Sequence, residues 1–208
     1  MIHPPIKLAV LISGSGATLQ NLIDLIAARQ LNASISLVIA SRPGIAGIDR
    51  AHRANLSCEV VERRQFADAG AFSRRVFDLI DLARVDLVCL AGWLSLLEIP
   101  KKWEGRVMNI HPALLPDFGG KGMYGHHVHE AVLATGGKQS GCTVHFVDNH
   151  YDNGPIILQR SCSVERGDSP ESLARRVFEE EKIAYPQAIR LFAAGKLTIE
   201  GRSVRIAD

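Results

Sequence analysis

The first 110 residues alternate short runs rich in apolar and β-branched residues with stretches whose apolar positions recur at helical spacing. That alternation constrains the chain toward parallel strands joined by helices. It predicts strands over 7–12, 35–40, 58–61, 86–91 and 106–110, and helices over 18–28, 46–54 and 69–83. The connections should be right-handed. After His111 the pattern changes to a long glycine-rich loop reaching His127, a short helix over 128–134 and two strands over 141–146 and 156–162. A final helix over 170–194 has Ser169 as its N-cap and Pro170 at its first position, and two short strands surround Gly201. The expected fold is therefore α/β: one domain over 1–208, a mostly parallel twisted sheet with helices on both faces, Rossmann-type in its first half.

Composition removes several functional classes. With 208 residues, 47% of them apolar and 22% charged, the chain is long enough for one core. A net charge of +2, with no basic block beyond Arg63-Arg64, Arg74-Arg75, Lys101-Lys102 and Arg175-Arg176, gives no footprint for nucleic acid. Cys58, Cys89, Cys142 and Cys162 form no CxxC pair and read as reduced core residues. The apolar run 8–12 is too short for a membrane span and leads into a glycine loop with no cleavage signal, so a soluble cytoplasmic protein is expected.

Asn109-Ile110-His111-Pro112 carries the chemistry. Alternate side chains on a strand share a face, so Asn109 and His111 emerge together at the strand's end, and Asp152 lies between the two later strands. An amide donor, an imidazole and a carboxylate suit acyl transfer to an amine, which needs a donor for the developing oxyanion and a group that moves protons. Ser13-Gly14-Ser15-Gly16-Ala17-Thr18 joins a strand to a helix, where free amides and the helix dipole favour phosphate. Leu19 stands where a dinucleotide loop has its third glycine, and no Gly-Lys-Ser or Gly-Lys-Thr follows, leaving a phosphate-bearing small substrate or a simple tight turn. Gly14 to Gly16, Gly92 and His111 all follow strands, and ligands of such sheets bind at that rim.

His126, His127, His129, His145 and His150 are numerous, but their spacing lacks the helical i, i+4 or cysteine partners of familiar zinc sites, so no metal is expected. His145 faces the same side as Thr143 and fits a structural or a site role equally. On the last helix the inward series Leu173, Val177, Glu181, Ala184, Ala188, Leu191 is interrupted by one carboxylate. An unpaired buried charge is costly, so Glu181 should find a partner or face a cleft.

These blocks, with Leu90-Ala91-Gly92, Ala113-Leu114-Leu115-Pro116, Val144-His145-Phe146-Val147, Asn153-Gly154-Pro155-Ile156-Ile157-Leu158-Gln159 and Ala184-Tyr185-Pro186, resemble the phosphoribosylglycinamide formyltransferases over nearly the whole chain. The resemblance implies transfer of a formyl group from 10-formyltetrahydrofolate to the amine of glycinamide ribonucleotide in purine biosynthesis, without a metal. It assigns Asn109, His111 and Asp152 to catalysis; Gly16, Ala17 and Thr18 to the substrate phosphate; and Glu181 to the substrate. Leu94, Ser95, Leu96 and Leu97, with Asn109, Val147 and Asp148, would meet the folate. Residues 1–110 then form a phosphate-binding half and 111–208 a folate and catalytic-loop half, with a homodimer admissible.

Three departures fall on the folate side: Ser95 replaces an arginine, residues 117–125 lengthen a segment whose glycine-rich part, 119–125, is a candidate lid, and Ala69 aligns with a second arginine for which Arg63 or Arg64 would substitute. Asp152 is expected to raise the pKa of His111 and hold it cationic. Formyltetrahydrofolate deformylase and methionyl-tRNA formyltransferase share the core but add a domain before or after it, for which the length leaves no room. An NADP-binding module, suggested by Gly14, Gly16 and Arg42, gives the Asn109-His111-Asp152 set no task.

Overall fold

The computed structural model describes residues 4–207, which divide into two compact units, one ending at Met108 and one beginning at Asn109. The first contains β1 (Ile6–Ile12), α1 (Ala17–Ala27), β2 (Ala33–Ala40), α2 (Ala46–Arg53), β3 (Cys58–Val60), α3 (Ala69–Ala83) and β4 (Leu87–Leu90). Its strands lie in the order β3-β2-β1-β4, and every pair is parallel. β1 is central, so Leu8 through Ile12 are wholly buried; this explains an apolar run with no polar alternation. The Asp68 carboxylate accepts from Ala71 N at 2.7 Å and starts α3, which buries Phe72, Val76, Phe77 and Ile80 at helical spacing. Phe72 stacks on Trp93 with ring centroids 6.0 Å apart. Two 3-10 turns, Arg63–Gln65 and Lys101–Trp103, are too short to show a sequence period and were not expected.

β5 (Val107–His111) leads into the second unit, which contains α4 (His126–Ala134), β6 (Gln139–Phe146), β7 (Ile156–Ser163), α5 (Pro170–Ala193), β8 (Leu197–Glu200) and β9 (Ser203–Ile206). The strands run β5-β6-β7-β9-β8; β6 and β7 are antiparallel, β7 and β9 parallel, β9 and β8 antiparallel. The α/β class is as expected, with the sheet parallel through the first unit and mixed in the second. α4 starts two residues before its predicted position: Gly125, at φ 54, ends the loop, whereas the polar His126 and His127 hid the first turn from an apolar pattern. α5 packs on β6 and β7 through Leu173, Val177, Ala184 and Ala188, while Leu191, expected on that stripe, is half-buried. Ser169 and Ser172 form a reciprocal cap at its start, and Pro186 is accommodated inside it. No helix among the described residues is long and apolar enough to cross a membrane.

One glycine fixes the course of the β6–β7 connection. A Cβ on Gly154 would lie 1.8 Å from the Phe146 carbonyl oxygen, closer than any relaxation of a side chain can relieve. Gly154→Ala is expected to cost at least about 2 kcal/mol in urea unfolding; a change under about 0.5 kcal/mol would mean that the connection repacks freely.

Candidate active site

The last residues of β5 present Asn109, half-buried, and His111, only 3% exposed, on one face. The β6–β7 connection brings Asp152 to them. Asp152 sits at φ 51, a left-handed conformation that aspartate tolerates better than most residues. Around it, Asp148 accepts from His150 N at 2.8 Å and from Asn153 Nδ2 at 2.9 Å, and Arg202 donates to Asn153 Oδ1 at 2.9 Å. Asp152 Oδ1 lies 3.3 Å from Asn109 Nδ2 and 3.4 Å from His111 Nδ1, and Oδ2 accepts from Gly120 N at 3.0 Å. Asn109, His111 and Gly120 thus share one carboxylate supplied from a distant part of the chain.

Two further groups complete the cluster. His145, 1% exposed on β6, places Nε2 3.1 Å from Asn109 Nδ2 and 3.6 Å from Asp152 Oδ1. The Phe118 carbonyl, in the glycine-rich loop, lies 2.8 Å from His111 Nε2. A carbonyl only accepts, so Nε2 of His111 carries a proton, while Nδ1 faces the Asp152 carboxylate. Sequence reasoning left His145 undecided and missed Phe118. The alternation of His145 with Val144 gave its face, but nothing local gave its neighbours.

Burial lowers the pKa of His111, outweighing the opposite pulls of Asp152 and the Phe118 carbonyl, and His145 lowers it further. The expected cationic His111 is therefore corrected. A ring this deeply buried loses more from desolvation than one carboxylate 3.4 Å away returns. For Asp152, burial acts upward but is outweighed by the His145 imidazole 3.6 Å away, the His111 ring and the Gly120 N–H, so its carboxyl falls below the usual range.

Thr143 locks the exit from β5. Its hydroxyl donates to Ala113 O at 2.6 Å while accepting from Leu115 N and Gln159 Nε2. Gly119 packs closely as well: a Cβ there would meet Leu115 Cδ2 at 2.6 Å and Asp152 Cβ at 3.2 Å.

In the first unit, Gly16 begins α1 at φ 71 with no side-chain cap, leaving the first-turn N–H groups of Ala17 and Thr18 without one. Two arginines brace this loop, Arg42 Nε on Ser13 O at 3.1 Å and Arg50 Nε on Ser15 O at 2.9 Å. Arg42 thus holds the loop's own backbone, a use that the dinucleotide reading did not foresee. The Ser13 hydroxyl accepts from Leu94 N at 3.0 Å, tying this loop to the segment 94–97. Within that segment Leu94 is 41% exposed, Ser95 and Leu96 are half-buried, and Leu97 is packed in the core. Val147 and Asp148 are half-buried at the end of β6.

A formyl transferase family model matches residues 6–189. The chain belongs to that family. This formyl transferase chain is 41% identical to glycinamide ribonucleotide transformylase 1 from Symbiobacterium toebii, whose crystal structure superposes with a TM-score of 0.91 over 98% of this chain and 95% of that one. It is 37% identical to the chloroplastic phosphoribosylglycinamide formyltransferase of Arabidopsis thaliana over 188 residues, 88% of this chain and 64% of the relative. It is 39% identical to the trifunctional purine biosynthetic protein adenosine-3 of Drosophila melanogaster over 197 residues, 93% of this chain and 14% of the relative. The chain spans less than a fifth of the length of the trifunctional relatives it matches.

Glu181 of this formyl transferase is half-buried on α5 with no hydrogen-bond or ion-pair partner among the described residues, and burial pushes its carboxyl from 4.5 up to about 8. The folded state therefore holds this proton where an unfolded glutamate has released it. Its contribution to stability is complete below about pH 4.5 and declines as pH rises through about 8. Urea unfolding from pH 5 to 9 should show that decline in wild type and lose it in Glu181→Gln; equal slopes would place the carboxyl in contact with water. No group of three His, Cys, Asp or Glu side chains among the described residues is arranged to hold a metal ion.

Proposed function

We propose that the chain transfers the formyl group of 10-formyltetrahydrofolate to the amine of 5-phosphoribosylglycinamide, a step of de novo purine biosynthesis. The observation that carries this reading is the buried cluster in which Asn109 and His111 share the Asp152 carboxylate at 3.3 and 3.4 Å. In this reading the first turn of α1, with Gly16, Ala17 and Thr18, holds the substrate phosphate, and Glu181 accepts from its hydroxyl or amine groups. Leu94, Ser95, Leu96 and Leu97, with Val147 and Asp148, line the folate site, and Asn109 reaches the formyl group. The cytoplasm suits a chain whose described cysteines are all free thiols.

The amine attacks the formyl carbon, forming a C–N bond while the carbonyl π pair moves to oxygen. Asn109 donates to that oxygen. His111 enters neutral, so its Nδ1 can take the proton leaving the attacking nitrogen, and the imidazolium then gains the adjacent Asp152 charge. Return of that proton to the departing folate nitrogen completes the transfer as the old C–N bond breaks. For Nε2 of His111 to donate to the oxyanion, the Phe118 carbonyl must first withdraw, which assigns the 117–125 loop a gating motion.

Mixing the chain with both substrates and following folate absorbance tests the proposal: release should require the ribonucleotide. Release without it would indicate hydrolysis, and none with it would end the reading. A Cβ at Gly16 would fall 2.6 Å from Gly47 Cα at a positive φ. Gly16→Ala should therefore displace the phosphate amides and raise KM for the ribonucleotide by about 10-fold or more, with KM for folate little changed. Parallel rises in both constants would remove the loop from phosphate binding.

A further inference from the structure

His145 Nδ1 lies 2.8 Å from the Phe146 carbonyl oxygen. Because that oxygen only accepts, Nδ1 carries a proton, and in the neutral ring Nε2 is a bare lone pair. The lone pair is 3.1 Å from Asn109 Nδ2. The Asp152 carboxylate, also an acceptor, lies 3.3 Å from the same nitrogen. Two acceptors on one amide nitrogen fix the Asn109 side chain with both N–H groups toward the cluster and its own oxygen turned away. An amide free to rotate by a half turn would instead present oxygen to a developing oxyanion and repel it.

We propose that His145 is a positioning residue, whose Nδ1–H tautomer anchors the Asn109 amide so that its second N–H is handed from Asp152 to the oxyanion. This rests on the formyl-transfer reading for its consequence, but not for its geometry. The division of labour follows from the contacts. The 3.1 Å bond to His145 Nε2 persists through the reaction, whereas the longer 3.3 Å contact to Asp152 is the one a stronger, newly charged acceptor displaces. Once Asn109 no longer donates to it, Asp152 Oδ1 is left to His111 Nδ1, at the stage when the imidazolium needs it. A partner two bonds removed from the reacting atoms can hold its ligand this way, and loss of such support elsewhere costs about 10- to 100-fold.

Removing the acceptor while keeping bulk, in His145→Leu, should lower kcat by about 10- to 100-fold and leave both KM values within about threefold. His145→Gln can place its carbonyl oxygen near the same point and should recover most of that loss. In wild type, 15N chemical shifts of the His145 ring should show a protonated Nδ1 and an unprotonated Nε2. The Asn109 side-chain N–H signals should be resolved and slow to exchange, and should broaden or merge in His145→Leu. An Nε2–H tautomer, unchanged Asn109 signals in the leucine variant, or kcat within threefold of wild type in a folded His145→Leu would overturn the proposal. Should wild type fail to transfer formyl to the ribonucleotide, the formyl-transfer reading fails by itself, and the ring and amide signals still decide the tautomer and the anchoring.

Discussion

Asp152→Asn should lower kcat by about 10³-fold while leaving the fold in place. The substitution keeps the size of the side chain and removes its charge. Oδ2 can still be replaced by an amide oxygen that accepts from Gly120 N, so the loop retains that tie. At the Oδ1 position, however, an NH2 group would meet Asn109 Nδ2 at 3.3 Å, donor against donor, and would donate to His111 Nδ1 at 3.4 Å. That second contact occupies the lone pair through which His111 would take the amine proton. The pKa of His111, already lowered by burial, should fall further once its main upward pull is gone. The wild-type carboxyl lies below the usual range, so its charge adds to stability above the unfolded pKa, and that contribution disappears as pH falls through the folded value. Single-turnover kinetics, urea unfolding near pH 7 and NMR titration of the His111 ring separate these effects. A kcat within threefold of wild type, or an unchanged His111 pKa, would remove the charge of Asp152 from the mechanism.

Asn109→Ala should reduce kcat by about 10²- to 10³-fold, or about 3 to 4 kcal/mol of transition-state stabilisation. Two independent acceptors, His145 Nε2 and Asp152 Oδ1, direct both of its amide donors at the cluster. KM for folate should change little, because the donor acts on charge that develops only as the C–N bond forms. Truncation also strands the Nε2 lone pair of His145 in a 1% exposed site, so a modest loss of stability should accompany it. Asn109→Asp is the informative companion, since it keeps the shape and replaces the donor by an acceptor; it should be at least as slow as the alanine variant. Equal turnover of Asn109→Ala and wild type would exclude the amide from oxyanion stabilisation.

The elements that could be read from sequence are those whose causes are local. α3 runs over the predicted residues 69–83 because its apolar spacing and its Asp68 cap lie within one stretch of chain. Ser169 and Pro170 likewise announce α5. The edges that moved had no such signal: β2 begins at Ala33, two residues early, and α4 opens on two histidines that carry no apolar period. The candidate site was legible in its members and not in its electrostatics. Asn109 and His111 share a face by strand geometry alone, but the contacts to Asp152 and His145 join positions 43 and 36 residues from Asn109.

The charge of His111 shows why. From sequence, a nearby carboxylate implies a cation; in the fold, the ring is so thoroughly removed from water that desolvation prevails. The sequence by itself determined the α/β alternation, the capped starts of α3 and α5 and the identity of the reacting groups, because periodicity and capping act over a few residues. Tertiary structure alone decided which imidazole nitrogen meets which acceptor, that His145 belongs beside Asn109, and that only glycine fits at 154. Those outcomes depend on how much water is excluded and on which backbone atoms come within a few ångströms, quantities that exist only once distant segments have packed.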